Sequence, residues 1–136
     1  MFEHFVQAQD RTYAHVLSEL EAGRKHSHWM WFIFPQLTAL GRSETAKRFG
    51  IADLGEARAY LAHPVLGPRL IECSEAVLRI KGRSAQDIFR SPDDIKLRSS
   101  MTLFGRASGG EGPFRAVLEQ YYGAEEDPAT LKLLAR

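Results

Sequence analysis

Glycine and proline divide this chain into short segments, most of which carry apolar residues at the spacing of one helix face. The longest runs from about Phe2 to Ala22, and Gly23 follows it as a C-terminal cap. Too few segments show strand-like alternation to build a sheet. At 136 residues, with no internal repeat or linker, the chain has the size of one domain. The pattern predicts a single irregular all-α domain over residues 1–136, with seven or eight mostly short helices.

Capping residues and helix breakers predict the bounds of the later helices. Asp53 and Glu56 have the spacing of a capping box, and Ser91 places a serine cap ahead of Pro92. Pro64 stops the helix before it, because a residue that precedes proline avoids helical angles. The predicted helices after the first cover residues 43–50, 53–62, 65–80, 84–89, 91–104, 113–123 and 127–134.

An aromatic run interrupts this series between the first two long segments. It reads His28-Trp29-Met30-Trp31-Phe32-Ile33-Phe34-Pro35. Periodicity alone cannot separate a short buried helix from a buried strand, but no partner strands are available elsewhere. We expect a buried helical turn or an extended plug at the centre of the fold.

Charge and cysteine content exclude several classes of protein. The chain has 18 basic and 17 acidic residues and a net charge of +1, so neither a nucleic acid nor a membrane surface is an expected partner. The densest basic stretch, residues 23–26, is expected to be a solvated loop. A single cysteine, Cys73, fits a reducing compartment, and the N-terminus does not resemble a signal peptide. The expected location is cytoplasmic.

Gln9 is the first candidate for a functional residue, because it falls within the apolar stripe of the first helix. An amide there must find hydrogen-bond partners or incur a cost of roughly 1–3 kcal/mol. It either bonds a neighbouring backbone and pins two helices together, or it faces a ligand.

The aromatic run supplies a second candidate. Trp29 and Trp31 beside His28 suit a platform for a nucleobase or nicotinamide ring, and they suit a hydrophobic core equally well. His26 and His28 have a spacing that a metal could use in an extended segment, but no nearby acid or second cysteine completes a ligand set. No metal site is therefore expected.

A third candidate is the stretch Lys96-Leu97-Arg98-Ser99-Ser100-Met101-Thr102. Two cations and three hydroxyls within seven residues can hold a phosphate. The alternative is that Lys96, Arg98 and Ser99 make capping and surface contacts within the fold.

Four long stretches also form a recognisable set. They are Phe5-Val6-Gln7-Ala8-Gln9, His28-Trp29-Met30-Trp31-Phe32-Ile33-Phe34-Pro35-Gln36-Leu37, Tyr60-Leu61-Ala62-His63-Pro64-Val65-Leu66-Gly67 and Asp94-Ile95-Lys96-Leu97-Arg98-Ser99-Ser100-Met101-Thr102-Leu103-Phe104. In that order they resemble the bacterial domain-of-unknown-function family numbered eighteen-ten. The resemblance covers nearly the whole chain and implies an all-α domain without an established activity. Members of that family often carry the label calpastatin, although calpastatins are disordered, repeat-bearing protease inhibitors.

A weaker likeness concerns the opening stretch Glu3-His4-Phe5-Val6-Gln7-Ala8-Gln9. It is similar to the Glu-His-x-x-x-Ala-Gln start of the NADAR superfamily, whose members are associated with ADP-ribose chemistry. That likeness implies an ADP-ribose derivative as one candidate ligand. The chain departs from the pattern at Asp10, where that group has lysine, and it lacks the later Trp-Gly and Asn-x-Leu-Gly signatures.

Two functions stay open at this point, and the sequence does not say whether the chain is an enzyme. The first is a site for a small anionic or nucleotide-like ligand, with no cofactor indicated. The second is a non-enzymatic protein–protein interaction module, in which the same stretches are packing signatures and the partner is unknown. A ligand site is favoured if Gln9, His28 and Arg98 line one cleft, and an interaction module is favoured if they lie apart.

Overall fold

The structure, a computed structural model that describes residues 1–136, consists of nine α-helices, one 3-10 turn and the segments that join them. Its only β-type pairing is an isolated bridge between Leu37 and Ile51. The helices are α1 (Glu3–Glu21), α2 (Met30–Ile33), α3 (Glu44–Arg48), α4 (Leu54–Ala62), α5 (Leu66–Arg79), α6 (Ala85–Phe89), α7 (Asp93–Ala107), α8 (Phe114–Tyr122) and α9 (Pro128–Leu134), with the 3-10 turn at Thr38–Leu40.

The all-α prediction is confirmed, and the predicted count of seven or eight helices was too low. The difference arises in the aromatic run, where α2 forms a separate single-turn helix. Burial of its apolar side chains, rather than a capping residue, stabilises so short a helix: no side chain caps its N-terminus.

Side-chain caps begin four of the helices. Ser43 accepts a hydrogen bond from the backbone of Ala46, and Asp53 accepts one from Glu56. Ser84 and Asp87 form a reciprocal capping box at α6. Asp127 accepts from the backbone of Thr130 at α9. These short polar contacts are local in sequence, which is why the starts of these helices were predictable.

Helix α7 differs from its prediction at both ends. It begins at Asp93 after Pro92, with no serine cap, and it continues to Ala107 rather than ending near Phe104. Gly105 lies within the helix, and an added Cβ there would stand 3.8 Å from side-chain atoms of both Phe114 and Arg115. These are ordinary van der Waals distances, so the position would also accept a small side chain, and the glycine does not end the helix.

Two helices organise the packing. Helix α7 contacts α4, α6, α8 and α9, while α5 contacts α1, α2, α4 and α8. The turn at residues 29–34, hereafter the aromatic turn, lies in the hydrophobic core between these sets. Trp29, Met30, Ile33 and Phe34 are each no more than 2% exposed, whereas Trp31 is partly exposed. Of the two forms expected for this run, the structure shows the buried helical turn and not the extended plug. No helix of the structure combines the length and apolar character that crossing a membrane requires.

A close backbone contact fixes the angle between α4 and α5. Gly67, in the first turn of α5, lies so near α4 that an added Cβ would stand 2.1 Å from the carbonyl oxygen of Leu61. Beside it, Nδ1 of His63 accepts hydrogen bonds from the backbone N–H groups of Val65 and Leu66. A side chain at position 67 would force the two helices apart.

We therefore expect Gly67→Ala to lower the free energy of unfolding by about 1–3 kcal/mol, because the clash is with backbone that cannot move independently. Gly55→Ala is the matched control, since its Cβ would meet only Asp53 Oδ1, at 3.4 Å. Its stability should be unchanged or slightly higher. Urea unfolding followed by circular dichroism measures both variants, and equal stability for the two would contradict the close-contact explanation.

Candidate ligand site at the aromatic turn

Glu19, near the end of α1, organises the loop that leads into the aromatic turn. Its Oε1 accepts hydrogen bonds from the backbone N–H groups of His26 (2.6 Å) and Ser27 (2.9 Å). The Ser27 hydroxyl donates to Oε2 at 2.6 Å, and the indole N–H of Trp29 donates to Oε1 at 3.0 Å. One carboxylate thus satisfies four donors and holds Trp29 in the core.

This environment changes the acidity of Glu19. Burial opposes its ionisation, but hydrogen bonds from Ser27, His26 and Trp29 outweigh that effect and lower the pKa of the Glu19 carboxyl from its usual 4.5 to about 2. Because the folded-state pKa is depressed, the stabilisation is complete above about pH 4.5 and is lost as the pH falls toward 2.

We therefore expect Glu19→Gln to lower the free energy of unfolding by about 1.5–3 kcal/mol at neutral pH, since glutamine removes the charge and one acceptor oxygen. The difference in free energy of unfolding between the variant and the parent chain should decrease as the pH falls below 4.5 toward 2. Urea unfolding across this range tests the idea, with Glu75→Gln, an exposed helical glutamate, as the control. A difference in free energy of unfolding that does not change with pH would contradict the role assigned to the negative charge of Glu19.

Two lysines and one aspartate lie around the tryptophans of the turn. Lys25 Nζ is 3.0 Å from Asp93 Oδ2 and 5.1 Å from the centre of the Trp29 ring. Lys96 Nζ is 3.6 Å from Asp93 Oδ1 and 5.5 Å from the centre of the Trp31 ring. These five residues form what we call the Lys–Trp cluster.

Lys25 shows that the expectation of a solvated loop at residues 23–26 was wrong at this position. Its side chain is only 8% exposed, and Nζ donates to the carbonyl oxygen of Ser27 at 2.6 Å. The backbone N–H of Lys25 also donates to the carbonyl of Ile88 in α6, at 2.8 Å. A lysine can be this buried because an anion, a carbonyl and an aromatic face replace its water.

The charges of the Lys–Trp cluster do not balance. One carboxylate, Asp93, faces two ammonium groups, and its contact with Lys96 is the longer of the two. Lys96 is 25% exposed and Trp31 is partly exposed. The cluster therefore presents one uncompensated cation beside an aromatic face at the protein surface.

The space next to Trp31 is small. A cavity of about 10 Å³ lies between Trp31, Lys96, Gln36 and the apolar side chains beneath them. This is room for roughly one water molecule. A larger ligand would have to lie across the outer face of Trp31, with only a polar atom reaching toward the cavity.

Arg90, at the junction of α6 and α7, has unusual backbone angles of φ 61° and ψ 163°. A non-glycine residue in this region costs about 1–3 kcal/mol and persists only where its surroundings hold it. The carbonyl of Arg90 accepts a hydrogen bond from the backbone of Asp94, at 3.0 Å. The strained junction thus sets the start of α7, and with it the position of Asp93.

Gln9 lies on the inner side of the aromatic turn and is 1% exposed. Its amide nitrogen donates to the carbonyl of Phe32 at 2.7 Å and to the hydroxyl of Tyr60 at 3.1 Å. Its oxygen accepts from Arg69 at 3.4 Å, and Arg69 in turn forms an ion pair with Asp10 at 2.8 Å. Gln9 thus joins α1 to α2, α4 and α5 with its polar atoms satisfied.

We expect Gln9→Met to lower the free energy of unfolding by about 1–3 kcal/mol, because it removes the donor to a buried carbonyl and hydroxyl. Gln7→Met is the control, since Gln7 is exposed on the same helix and makes no side-chain hydrogen bond. Thermal or urea unfolding measures both. A Gln9 variant as stable as the Gln7 variant would show that these hydrogen bonds do not support the turn.

The remaining predicted residues point elsewhere. Arg98 donates to Glu125 and Glu126 in the segment between α8 and α9, at 3.0–3.1 Å. Ser99 donates to Asp127 Oδ2 at 2.9 Å, and His28 is exposed without a side-chain hydrogen bond. The structure brings Trp29, Trp31 and Lys96 together, while Gln9, Arg98, Ser99 and His28 do not join them through any hydrogen bond or ion pair.

Lys25 and Asp93 are the members of the cluster that sequence reasoning missed. Asp93 lies in the first turn of α7, where an acidic residue is common and does not by itself indicate a binding site. Pairing Lys25 with it requires the loop after α1 to meet the start of α7, and no short-range pattern encodes that contact. The one sequence feature that could have indicated this cluster is the presence of Lys25 four residues before Trp29.

The cluster contains no activated nucleophile. The chain's single thiol, Cys73, is buried in α5, and burial raises its pKa to about 12. The thiol lies 3.8 Å from the Tyr13 hydroxyl, which is itself hydrogen-bonded to Glu72. Such a thiol stays protonated and is a poor nucleophile.

Comparison with known proteins identifies the family of the chain. The model of the family described as protein of unknown function (DUF1810) matches residues 1–134. The chain belongs to this family. The DUF1810 fold is also seen in the crystal structure, at 1.38 Å, of the conserved hypothetical protein Rv1873 from Mycobacterium tuberculosis. The two chains are 54% identical, the match covers 98% of this chain and 96% of that one, and the TM-score is 0.95.

No curated protein matches the chain. The resemblance to the eighteen-ten family is thus confirmed, whereas the calpastatin label and the likeness to the NADAR superfamily are not confirmed.

Proposed function

We propose that this DUF1810 domain binds a small anionic, nucleotide-like ligand at the Lys–Trp cluster, with an ADP-ribose derivative as one candidate. The observation that carries the proposal is the pairing of a partly exposed Trp31 with Lys96, whose only carboxylate partner is shared with Lys25.

Each half of such a ligand finds a chemical counterpart in the cluster. A base or nicotinamide ring can stack on the outer face of Trp31, an interaction worth about 1–3 kcal/mol per base. A phosphate oxygen can replace the long contact between Lys96 and Asp93 with a charge-assisted hydrogen bond of ordinary length.

In this proposal the other predicted residues act at a distance from the ligand. Gln9 supports the inner side of the aromatic turn through Phe32. Arg98 and Ser99 attach α7 to the segment before α9. These contacts preorganise Trp31 and Lys96, which lowers the entropic cost of binding.

Titration with AMP and with ADP-ribose tests the proposal directly, using tryptophan fluorescence and amide chemical shifts. We expect saturable changes near Trp31, and about tenfold weaker binding in Lys96→Gln, which removes the cation. Trp31→Leu should weaken binding by a similar factor, because it removes the stacking surface.

Lys132→Gln is the matched control, because Lys132 is an exposed lysine of α9 that forms no ion pair. Its affinity should equal that of the parent chain. Absence of any saturable change at millimolar AMP and ADP-ribose would refute the ligand proposal, as would equal loss of affinity in all three variants.

A second candidate is a non-enzymatic protein–protein interaction module that uses the same partly exposed Trp31. Two observations favour it. The cavity beside Trp31 holds only about 10 Å³. Gln9 and Arg98 are each bonded within the fold, so these residues and His28 do not line one cleft. A photo-crosslinking amino acid at position 31, compared with one at position 132, distinguishes the two functions. A stoichiometric protein crosslink specific to position 31, without AMP or ADP-ribose binding, would favour the module.

A further inference from the structure

A second cationic region lies at the opposite end of the 22–29 loop from the aromatic turn. Helices α1 and α5 both end there, around an open cavity of about 360 Å³. Arg79, Lys81 and Arg83 line its rim, and Leu20, Ala76 and Ile80 form its apolar floor. Ligand cavities commonly start at about this volume and combine an apolar surface with a few polar groups.

The walls of this cavity are held in place by contacts within the fold. Arg83 donates to the carbonyl of Gly23 at 3.0 Å and to that of Asp87 at 3.1 Å. Lys81 donates to the side-chain oxygen of Gln120 at 3.2 Å, and the amide of Gln120 donates to the carbonyl of Ile80 at 2.9 Å. Two of the three cations are therefore positioned before any ligand arrives.

Arg79 differs from its neighbours. It is exposed in the last turn of α5 and takes part in no ion pair or side-chain hydrogen bond. Its guanidinium offers a planar set of donors that match a phosphate or carboxylate head group in two-point contact. Arg79 is the rim residue whose hydrogen-bond donors are all free.

The charges around the cavity roughly balance, which leaves Arg79 as the cation available to a ligand. The C-terminal ends of α1 and α5 each contribute roughly half a negative charge, and Glu21 contributes one more. The carboxylate of Asp87 adds another close to Arg83. Arg83 and Lys81 are engaged within the fold, whereas Arg79 has no ionic partner.

We infer that this cavity binds a small organic anion that carries a phosphate or carboxylate head on a short apolar body. The head lies against Arg79 and Lys81, and the body covers Leu20, Ala76 and Ile80. Arg83 acts as a positioning residue, since its donors are directed to the carbonyls of Gly23 and Asp87. The site is separate from the Lys–Trp cluster and does not depend on the function proposed for it.

Titration of the isotopically labelled full chain tests the inference, with phenyl phosphate, benzoate, inorganic phosphate and neutral benzyl alcohol as probes. We expect saturable amide shifts at Ala22, Gly23 and Arg83 with phenyl phosphate or benzoate. Inorganic phosphate should bind more weakly because it lacks the apolar body. Benzyl alcohol should bind more weakly because it lacks the anionic head. Whichever of the two organic anions binds more tightly identifies the head group.

The double variant Arg79→Gln, Lys81→Gln should bind the organic anions about tenfold more weakly. The control is Arg11→Gln with Lys132→Gln, which removes the same charge from exposed positions elsewhere. The thermal midpoint of each variant verifies folding, and Arg79→Gln alone replaces the double variant if the latter is unstable. Unsaturable shifts, shifts spread over many surface lysines, or equal weakening in the control pair would overturn the inference.

Discussion

Burial of the aromatic turn is the constraint on which the rest of this fold depends. A tryptophan indole and a short helix of four residues cannot enter a core unless their polar atoms find partners. Helix α1 provides both: Glu19 accepts from the indole of Trp29, and Gln9 donates to the carbonyl of Phe32. With these two contacts made, the apolar side chains of the turn pack against α5, α6 and α1. Gln9 and Glu19 of α1 thus support the core, although only Gln9 looks anomalous in the sequence of the helix.

The same turn explains why charged side chains gather where they do. Lys25 lies over Trp29 and Lys96 over Trp31, with Asp93 between the two ammonium groups. A pair as buried as Lys25 and Asp93 recovers little net energy, because desolvation offsets most of its attraction. Its contribution is to fix one arrangement of the loop against α7. Lys96 is less constrained, and it is the cation that remains available at the surface.

Local chemistry accounts for the parts of this structure that the sequence predicted well. Caps such as Ser84 with Asp87 act within three residues, so they can be read directly from the chain. The parts that were missed depend on contacts between distant segments. Helix α7 continues through Gly105 where it packs against α8, and Lys25 is buried because α7 brings Asp93 to it. For Gln9, the sequence correctly offered backbone bonding as one of two outcomes, but only the fold identifies Phe32 and Tyr60 as its partners.

The two cationic regions share a single loop, which determines how their roles can be separated. Gly23, at one end of the loop, accepts a hydrogen bond from Arg83 at the rim of the cavity. Lys25 and Trp29, toward its other end, belong to the Lys–Trp cluster, and Glu19 holds the residues between. Any change to Glu19 would therefore disturb both regions at once. Lys96 and Arg79 instead belong to helices α7 and α5, whose backbones do not depend on the loop for their hydrogen bonds. Substitutions at these two helical positions can change one region while the other keeps its structure.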